Sequence, residues 1–211
     1  MRLVLIRHGE TDYNRDRLAL GRFDAPLDER GLAQARALAG SFRRPPSAIY
    51  ASPLKRAFDT ASAIGAETGV EVTVDDGLIE MDVGEMEHLT GSELREHYPE
   101  FLTAWGSAKA ADARMPGGET LREVQERAWD AVERMRAAHP ESEVVAVTHN
   151  FVILTVLCRA LDLQLAGFRR LRQALAAKTV IDVGAGASTL LQLNDDAHLL
   201  AAGLGDELTP R

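Results

Sequence analysis

At 211 residues, the chain suits one domain spanning 1–211 and is long enough to bury a sizeable core, so two separate domains are not expected. Hydrophobic residues make up 45% and charged residues 27%, which excludes disordered and membrane classes. The formal charge of −8 argues against a basic nucleic-acid or anionic-membrane surface but leaves room for a small anion in a local basic pocket. In chain order, "RLVLI" (2–6) reads as a buried strand, and "DERGLAQARALAGSF" (28–42) carries Ala and Leu at helical spacing. A short strand at 47–52 and a helix at 54–68 follow, and then a strand, "VEVTV" (70–74). The segment 76–117 breaks the rhythm with "MDVGEMEHLTGSE", a Tyr98-Pro99 pair and "ARMPGGE", and reads as a helical and loop insertion. Beyond it, Thr120 followed by Glu123 marks a capping box for a helix within 118–138, and "SEVVAVTH" (142–149) is the next strand. Strands at 178–183 and 188–193 flank "GAGA", which reads as a hairpin or tight turn. Strands alternating with helices predict an α/β fold: a three-layer α/β/α arrangement of a mostly parallel central sheet with helices on both faces. The insertion is expected over one end of that sheet.

A single cysteine, Cys158, cannot form an intramolecular disulfide and lies within "FVILTVLCRAL", so it reads as a buried free thiol in a reducing compartment. No apolar run suits a signal peptide or a membrane span of about 18 residues, and the expected location is cytoplasmic. "VIDVGAGAS" has the look of a dinucleotide or methyl-donor glycine turn. Such a unit needs a helix next and then a second parallel strand, and the 25 residues after Gly186 do not supply that sequence.

The chemistry gathers at strand ends, where parallel sheets open onto a crevice. The first strand delivers Arg7 and His8, the strand at 142–149 delivers Thr148 and His149, and "SPLKRA" brings Lys55 and Arg56 to a helix start. Taken singly, these are a solvated rim arginine, a satisfied histidine and a capped helix. Together, two arginines, two histidines and two helix N-termini suit a phosphate dianion, because arginine forks bind its oxygens and histidine can donate to it or attack phosphorus.

These residues also carry a family resemblance. "RHGET" with Asn14 resembles the signature of the histidine phosphatase superfamily, the phosphoglycerate mutase-like proteins. So do "GRFDAPLDERGLAQA" (21–35), "SPLKRAFDTA" (52–61), "LIEMDVGEMEH" (78–88), "PGGET" (116–120), "VVAVTHN" (144–150) and "LNDDAHL" (193–199), in the family's order and over nearly the whole chain. The last of these is similar to the tail of small bacterial phosphatases. The resemblance implies metal-independent, cofactor-free hydrolysis of a phosphomonoester, with His8 as the nucleophile that forms a phosphohistidine. Arg7, Arg56 and His149 would hold the phosphoryl oxygens, Asn14 would assist, and Glu80 falls at the proton-donor position. Gly21 and Asn150 belong to the implied substrate and phosphate contacts. An imidazole near its ordinary pKa of about 6.5 would have a large neutral fraction able to attack.

The implied partner is a small phosphorylated metabolite, with no nucleic acid and no membrane, and the chain would be a monomer or homodimer. Two alternatives accompany this reading: phosphoryl transfer of the cofactor-dependent phosphoglycerate mutase type, and a phosphoryl-binding module without turnover. The chain is short for a mutase, which needs a longer insertion to exclude water. Loss of His8, Arg56 or Glu80 would mark the binding module, and all three are present. Several positions depart from the family pattern. Asn150 stands where many members have Gly, Leu20 where a polar residue is common, and Met86 and His88 flank Glu87 in place of Trp and Gly. His88 is expected as an exposed loop residue, with Glu87 and His88 the reserve candidates for the acid.

Overall fold

The computed structural model describes residues 1–205, so residues 206–211 of the expected unit lie outside the described part. Six strands form one sheet: β1 (Arg2–Arg7), β2 (Ala48–Ala51), β3 (Val72–Val74), β4 (Glu143–Thr148), β5 (Lys178–Val183) and β6 (Ser188–Asp195). Their order is β3-β2-β4-β1-β5-β6, with the first four parallel and β5 and β6 antiparallel. The mostly parallel sheet is as expected.

Helices α1 (Asp12–Arg15), α2 (Glu29–Ala39), α3 (Lys55–Thr68), α4 (Gly91–His97), α5 (Pro99–Trp105), α6 (Leu121–Ala138), α7 (Asn150–Ala160) and α8 (Ala197–Ala201) connect the strands. Strand side chains alternate between faces, so the central strands β1 and β4 each feed two cores. Leu3, Leu5, Val144 and Ala146 pack with α6 and α7, through residues such as Val132 and Val156. Val4, Ile6, Val145 and Val147 pack on the other side with Leu38 of α2, Ala61 and Ile64 of α3 and Leu199 of α8. Truncating one such residue, for example Leu5→Ala, costs about 2–5 kcal/mol.

The capping box at the start of α6 is present, with Thr120 and Glu123 exchanging hydrogen bonds. The glycine turn at 184–187 joins two antiparallel strands, which removes the dinucleotide-unit reading. A strand and a short helix do follow the turn, but in the reverse of the order such a unit requires. Cys158 is a buried free thiol, and burial pushes its pKa up to about 11. Among the described residues, no helix is long and apolar enough to cross a membrane.

The insertion holds two 3-10 turns (Asp76–Leu78 and Gly84–Met86) followed by α4 and α5, which meet at Tyr98-Pro99. Proline suits the first turn of α5, where its missing N–H has no helical partner to lose. Gly84 fixes the base of the insertion: its φ is +54°, and a Cβ there would stand 2.1 Å from the Pro116 carbonyl oxygen.

Candidate active site

The register of β1 with β4 sets Arg7 opposite Thr148, so both strands end at the same level. The His8 amide donates to the Thr148 carbonyl (3.0 Å), and the Ala176 amide donates to the carbonyls of Arg7 (3.0 Å) and His8 (3.1 Å). The strand tip is therefore clamped from both sides. Gly9 N–H donates to Thr60 Oγ1 (3.1 Å), which ties the next residue to α3. Behind it, Gly31 of α2 lies so close to Glu10 that a Cβ would be 2.1 Å from the Glu10 carbonyl oxygen.

His8 is 3% exposed, with Nδ1 2.7 Å from the Gly9 carbonyl oxygen. A carbonyl only accepts, so Nδ1 carries the proton and Nε2 of the neutral ring holds a lone pair. The His149 ring lies 5.1 Å from it, centroid to centroid. Burial, then the charges of Arg56 and Arg7, hold the His8 pKa well below the ordinary histidine value. The expected ordinary pKa is thus corrected, and the neutral form dominates at pH 7. Burial and the Arg56 charge likewise depress His149.

Arg56 is fully buried at the first turn of α3. It donates to the carbonyls of Phe23 (2.8 Å) and Gly21 (2.7 Å). Burial lowers its pKa to about 10, opposed by Glu80, Glu87 and Asp24, so it stays charged at neutral pH. Arg7 donates to the Gln173 carbonyl (3.0 Å). His149 Nε2 is 2.7 Å from Ser52 Oγ, which also accepts from the Leu54 amide (3.3 Å). Arg56 Nε and His149 Nδ1 are buried with no hydrogen-bond partner among the described residues.

Glu80 is buried, and its carboxylate accepts from the amides of Met81 (2.8 Å) and Phe151 (3.4 Å). Desolvation raises its pKa, against those amides and the Arg56 charge, so it keeps its proton to higher pH than an ordinary glutamate. Its backbone is held by Arg127, which donates to the carbonyls of Gly77 (3.0 Å), Ile79 (2.6 Å) and Glu80 (3.1 Å) and pairs with Glu119 (3.0 Å). Thr148 Oγ1 donates to the Leu78 carbonyl (2.6 Å), so the β4 tip is joined to the same loop.

A cavity of about 270 Å³ opens above this cluster. Arg7, His8, Asn14, Glu80 and Asn150 line it. Arg56 and His149 are not on its wall but belong to the buried cluster around His8. The Asn14 carboxamide oxygen accepts from Thr11, so its NH2 is the end left for a ligand. Gly21 departs from the expected phosphate contact: its N–H donates to Glu87 (2.6 Å) and its carbonyl is taken by Arg56. Glu87 is not placed as a reserve acid either, because its carboxylate accepts from the amides of Gly21, Arg22 (3.0 Å) and Phe23 (3.2 Å). It holds the 21–23 loop whose carbonyls orient Arg56. His88 is exposed, as expected, with its ring beside Tyr13 and Phe23.

Sequence reading missed Ser52, Glu119 and Arg127 as positioning residues. Ser52 and Glu119 lie inside motifs already singled out, whereas nothing in helix α6 marks Arg127. Among the described residues, no cluster of three or more His, Cys, Asp or Glu side chains forms a metal site.

Comparison with known proteins identifies the family. The family model of the histidine phosphatase superfamily (branch 1) matches residues 3–196. The chain belongs to that superfamily. It is 32% identical over 200 residues to phosphoserine phosphatase 1 of Hydrogenobacter thermophilus, covering 94% of each chain. A bifunctional protein of Mycobacterium tuberculosis is 34% identical over 201 residues, and there the match covers 94% of this chain but 55% of the relative. The structure of a mycobacterial glucosyl-3-phosphoglycerate phosphatase in complex with VO3 superimposes with a TM-score of 0.85 at 33% identity, covering 92% of this chain and 99% of that one.

Proposed function

We propose that the protein hydrolyses a small phosphomonoester through a phosphohistidine on His8, with no metal or other cofactor. The state of His8 carries this reading: a buried, neutral ring whose Nδ1–H is held by the Gly9 carbonyl, leaving Nε2 as a nucleophile beside two guanidinium groups. In the first step, Nε2 bonds to phosphorus and the P–O bond to the alcohol breaks, while the Glu80 carboxylic acid gives its proton to the departing alkoxide. In the second, Glu80 takes a proton from water, the resulting hydroxide bonds to phosphorus and the P–N bond breaks. Neutral His8 and protonated Glu80 are restored.

Arg7 and Arg56 offset the charge of the dianion and of the transition state without losing protons. The Ser52 hydroxyl, which accepts from Leu54, has its own proton for His149 Nε2. His149 Nδ1–H and Arg56 Nε–H are then donors to phosphoryl oxygens, joined by the Asn14 NH2 and the Asn150 amide at the start of α7. Residues 1–211 are read as one unit with its insertion at 76–117, cytoplasmic, monomeric or homodimeric, and without nucleic-acid partners.

Rapid quenching with a 32P-labelled ester tests the mechanism. An acid-labile, base-stable phosphoprotein is expected in the wild type and not in His8→Ala, with free phosphate and not an isomerised ester as product. Turnover that survives His8→Ala would overturn the assignment, and turnover abolished by a chelator would overturn its metal-free form.

A further inference from the structure

The wall of the cavity beyond the reaction centre is built from a different class of residue. Of its sixteen lining residues, the five polar ones are Arg7, His8, Asn14, Glu80 and Asn150, all assigned above to the chemistry. The other eleven are apolar. Leu20 stands where a polar residue is common in the family. Leu94 of α4 and Phe101, Leu102 and Trp105 of α5 form the side supplied by the insertion. Phe101 stacks on Trp105 (5.4 Å between centroids), and Trp105 meets Phe151 edge-on (5.9 Å), so part of the wall is aromatic.

Part of the wall's backbone is also already paired. Both polar backbone groups of Ala19 pair with residues 88–89, and the Phe151 amide is taken by Glu80. Among the described residues, Arg7, beside the nucleophile, is the only lysine or arginine on the wall. Neighbouring arginines are engaged elsewhere: Arg22 with Glu119 (3.1 Å), Arg114 with Glu123 (2.6 Å), and Arg169 with the Trp105 carbonyl. A carboxylate or second phosphate carried into this space would lose its water and meet no cation on the wall beyond Arg7, which the reacting phosphoryl group already engages.

Resting on the phosphatase reading above, we propose that the alcohol portion of the substrate is apolar, an alkyl or aryl group without a carboxylate. Two of the relatives reported above differ in this respect, since phosphoserine and phosphoglycerate esters both carry one. An apolar chain gains from each methylene it buries against Leu20, Leu94 and Leu102, by about fourfold in affinity per group.

The test compares kcat/KM for ethyl phosphate, hexyl phosphate, O-phosphoserine and 3-phosphoglycerate, with p-nitrophenyl phosphate as a control for the chemistry. Ethanol and hexanol leave equally poorly, so their ratio reads the contact with the chain. A hexyl-to-ethyl ratio of at least about 30 is expected, with hexyl phosphate preferred to both carboxylate-bearing esters. Leu102→Ser, and independently Leu94→Ser, should each lower that ratio about tenfold.

If p-nitrophenyl phosphate is hydrolysed in a His8-dependent manner but the ratio is near one, or a carboxylate-bearing ester is preferred, the apolar assignment falls and the phosphatase reading stands. An unchanged ratio in both variants would likewise overturn it. No turnover of any ester, or turnover that survives His8→Ala, would overturn both.

Discussion

The end of the sheet and the insertion meet in one cavity but are built in opposite ways. At the sheet end, Arg56, His8 and His149 are polar and buried, each fixed by hydrogen bonds to backbone or neighbouring side chains, and Glu80, at the base of the insertion, is buried and held in the same way. Across the cavity, Leu94, Phe101 and Leu102 are apolar and only half-buried, on two seven-residue helices. Groups that must align with phosphorus sit on elements that two hydrophobic cores hold still. Groups that only meet the alcohol sit on short helices at the edge of one core, with Leu94 and Phe101 packed against it from outside. Substitutions of the nucleophile and phosphate ligands at the sheet end should therefore affect every ester, substitution of Glu80 should affect esters in proportion to their need for a proton, and substitutions in α4 and α5 should act on selectivity or local order.

The largest effect is expected from His8→Ala, a loss of about 10⁴-fold or more in kcat/KM for all esters alike, p-nitrophenyl phosphate included. An ester-dependent loss would mean that the nucleophile is not shared. Glu80→Gln should cost about 10²–10⁴-fold for alkyl phosphates and much less for p-nitrophenyl phosphate, whose leaving group needs no proton. The same change should raise the melting temperature at pH 8 by a few degrees. The folded-state pKa of Glu80 is raised, so as pH climbs above that of the unfolded chain the native state bears a growing desolvation penalty, which Gln removes.

For alkyl esters, kcat/KM should fall on the acid side through the depressed His8 pKa and on the alkaline side through the raised Glu80 pKa. With p-nitrophenyl phosphate the alkaline limb should flatten. His8 and His149 are both depressed in the folded state, so the unfolded chain binds more protons below about pH 6.5. Urea unfolding should accordingly show stability lost as pH drops from there toward the folded pKa values.

Effects in the insertion should be smaller on chemistry. Gly84→Ala places a Cβ against the Pro116 carbonyl at a φ of +54° and should cost about 1–3 kcal/mol in thermal or urea unfolding. Its effect on p-nitrophenyl phosphate turnover should stay under about tenfold. Thr90→Ala removes the capping box of α4, worth about 1 kcal/mol, and should speed hydrogen exchange in residues 91–97 while leaving turnover of that ester within about twofold. If either variant matched His8→Ala in its loss, the division between the two regions would be wrong.

Much of the sheet end was legible because its signals are local. The apolar run before Arg7 marks a strand, Thr120 and Glu123 mark a helix start, and motif order brings His8, Arg56 and His149 to one end. What was not legible depends on pairs far apart in the chain. Nothing at Gly21 announces that its carbonyl orients Arg56, or at Glu87 that its carboxylate gathers three amides 64 to 66 residues away. The His8 pKa followed the same pattern, since burial beside two guanidiniums is set by tertiary packing and not by the residues that flank the ring. In the insertion, the sequence marked Leu20 as a departure, but only the packing of α4 and α5 joins it to Leu102 in one apolar wall.

The bond between His8 Nδ1 and the carbonyl of the adjacent Gly9 has a consequence for engineering. Because the nucleophile is oriented by the very next peptide unit, its tautomer does not rely on any residue of the insertion. A library randomised at 94, 101 and 102 can therefore explore new alcohols while every member inherits the same attacking atom. Selection on such a library would separate members by what they admit and not by whether they can react.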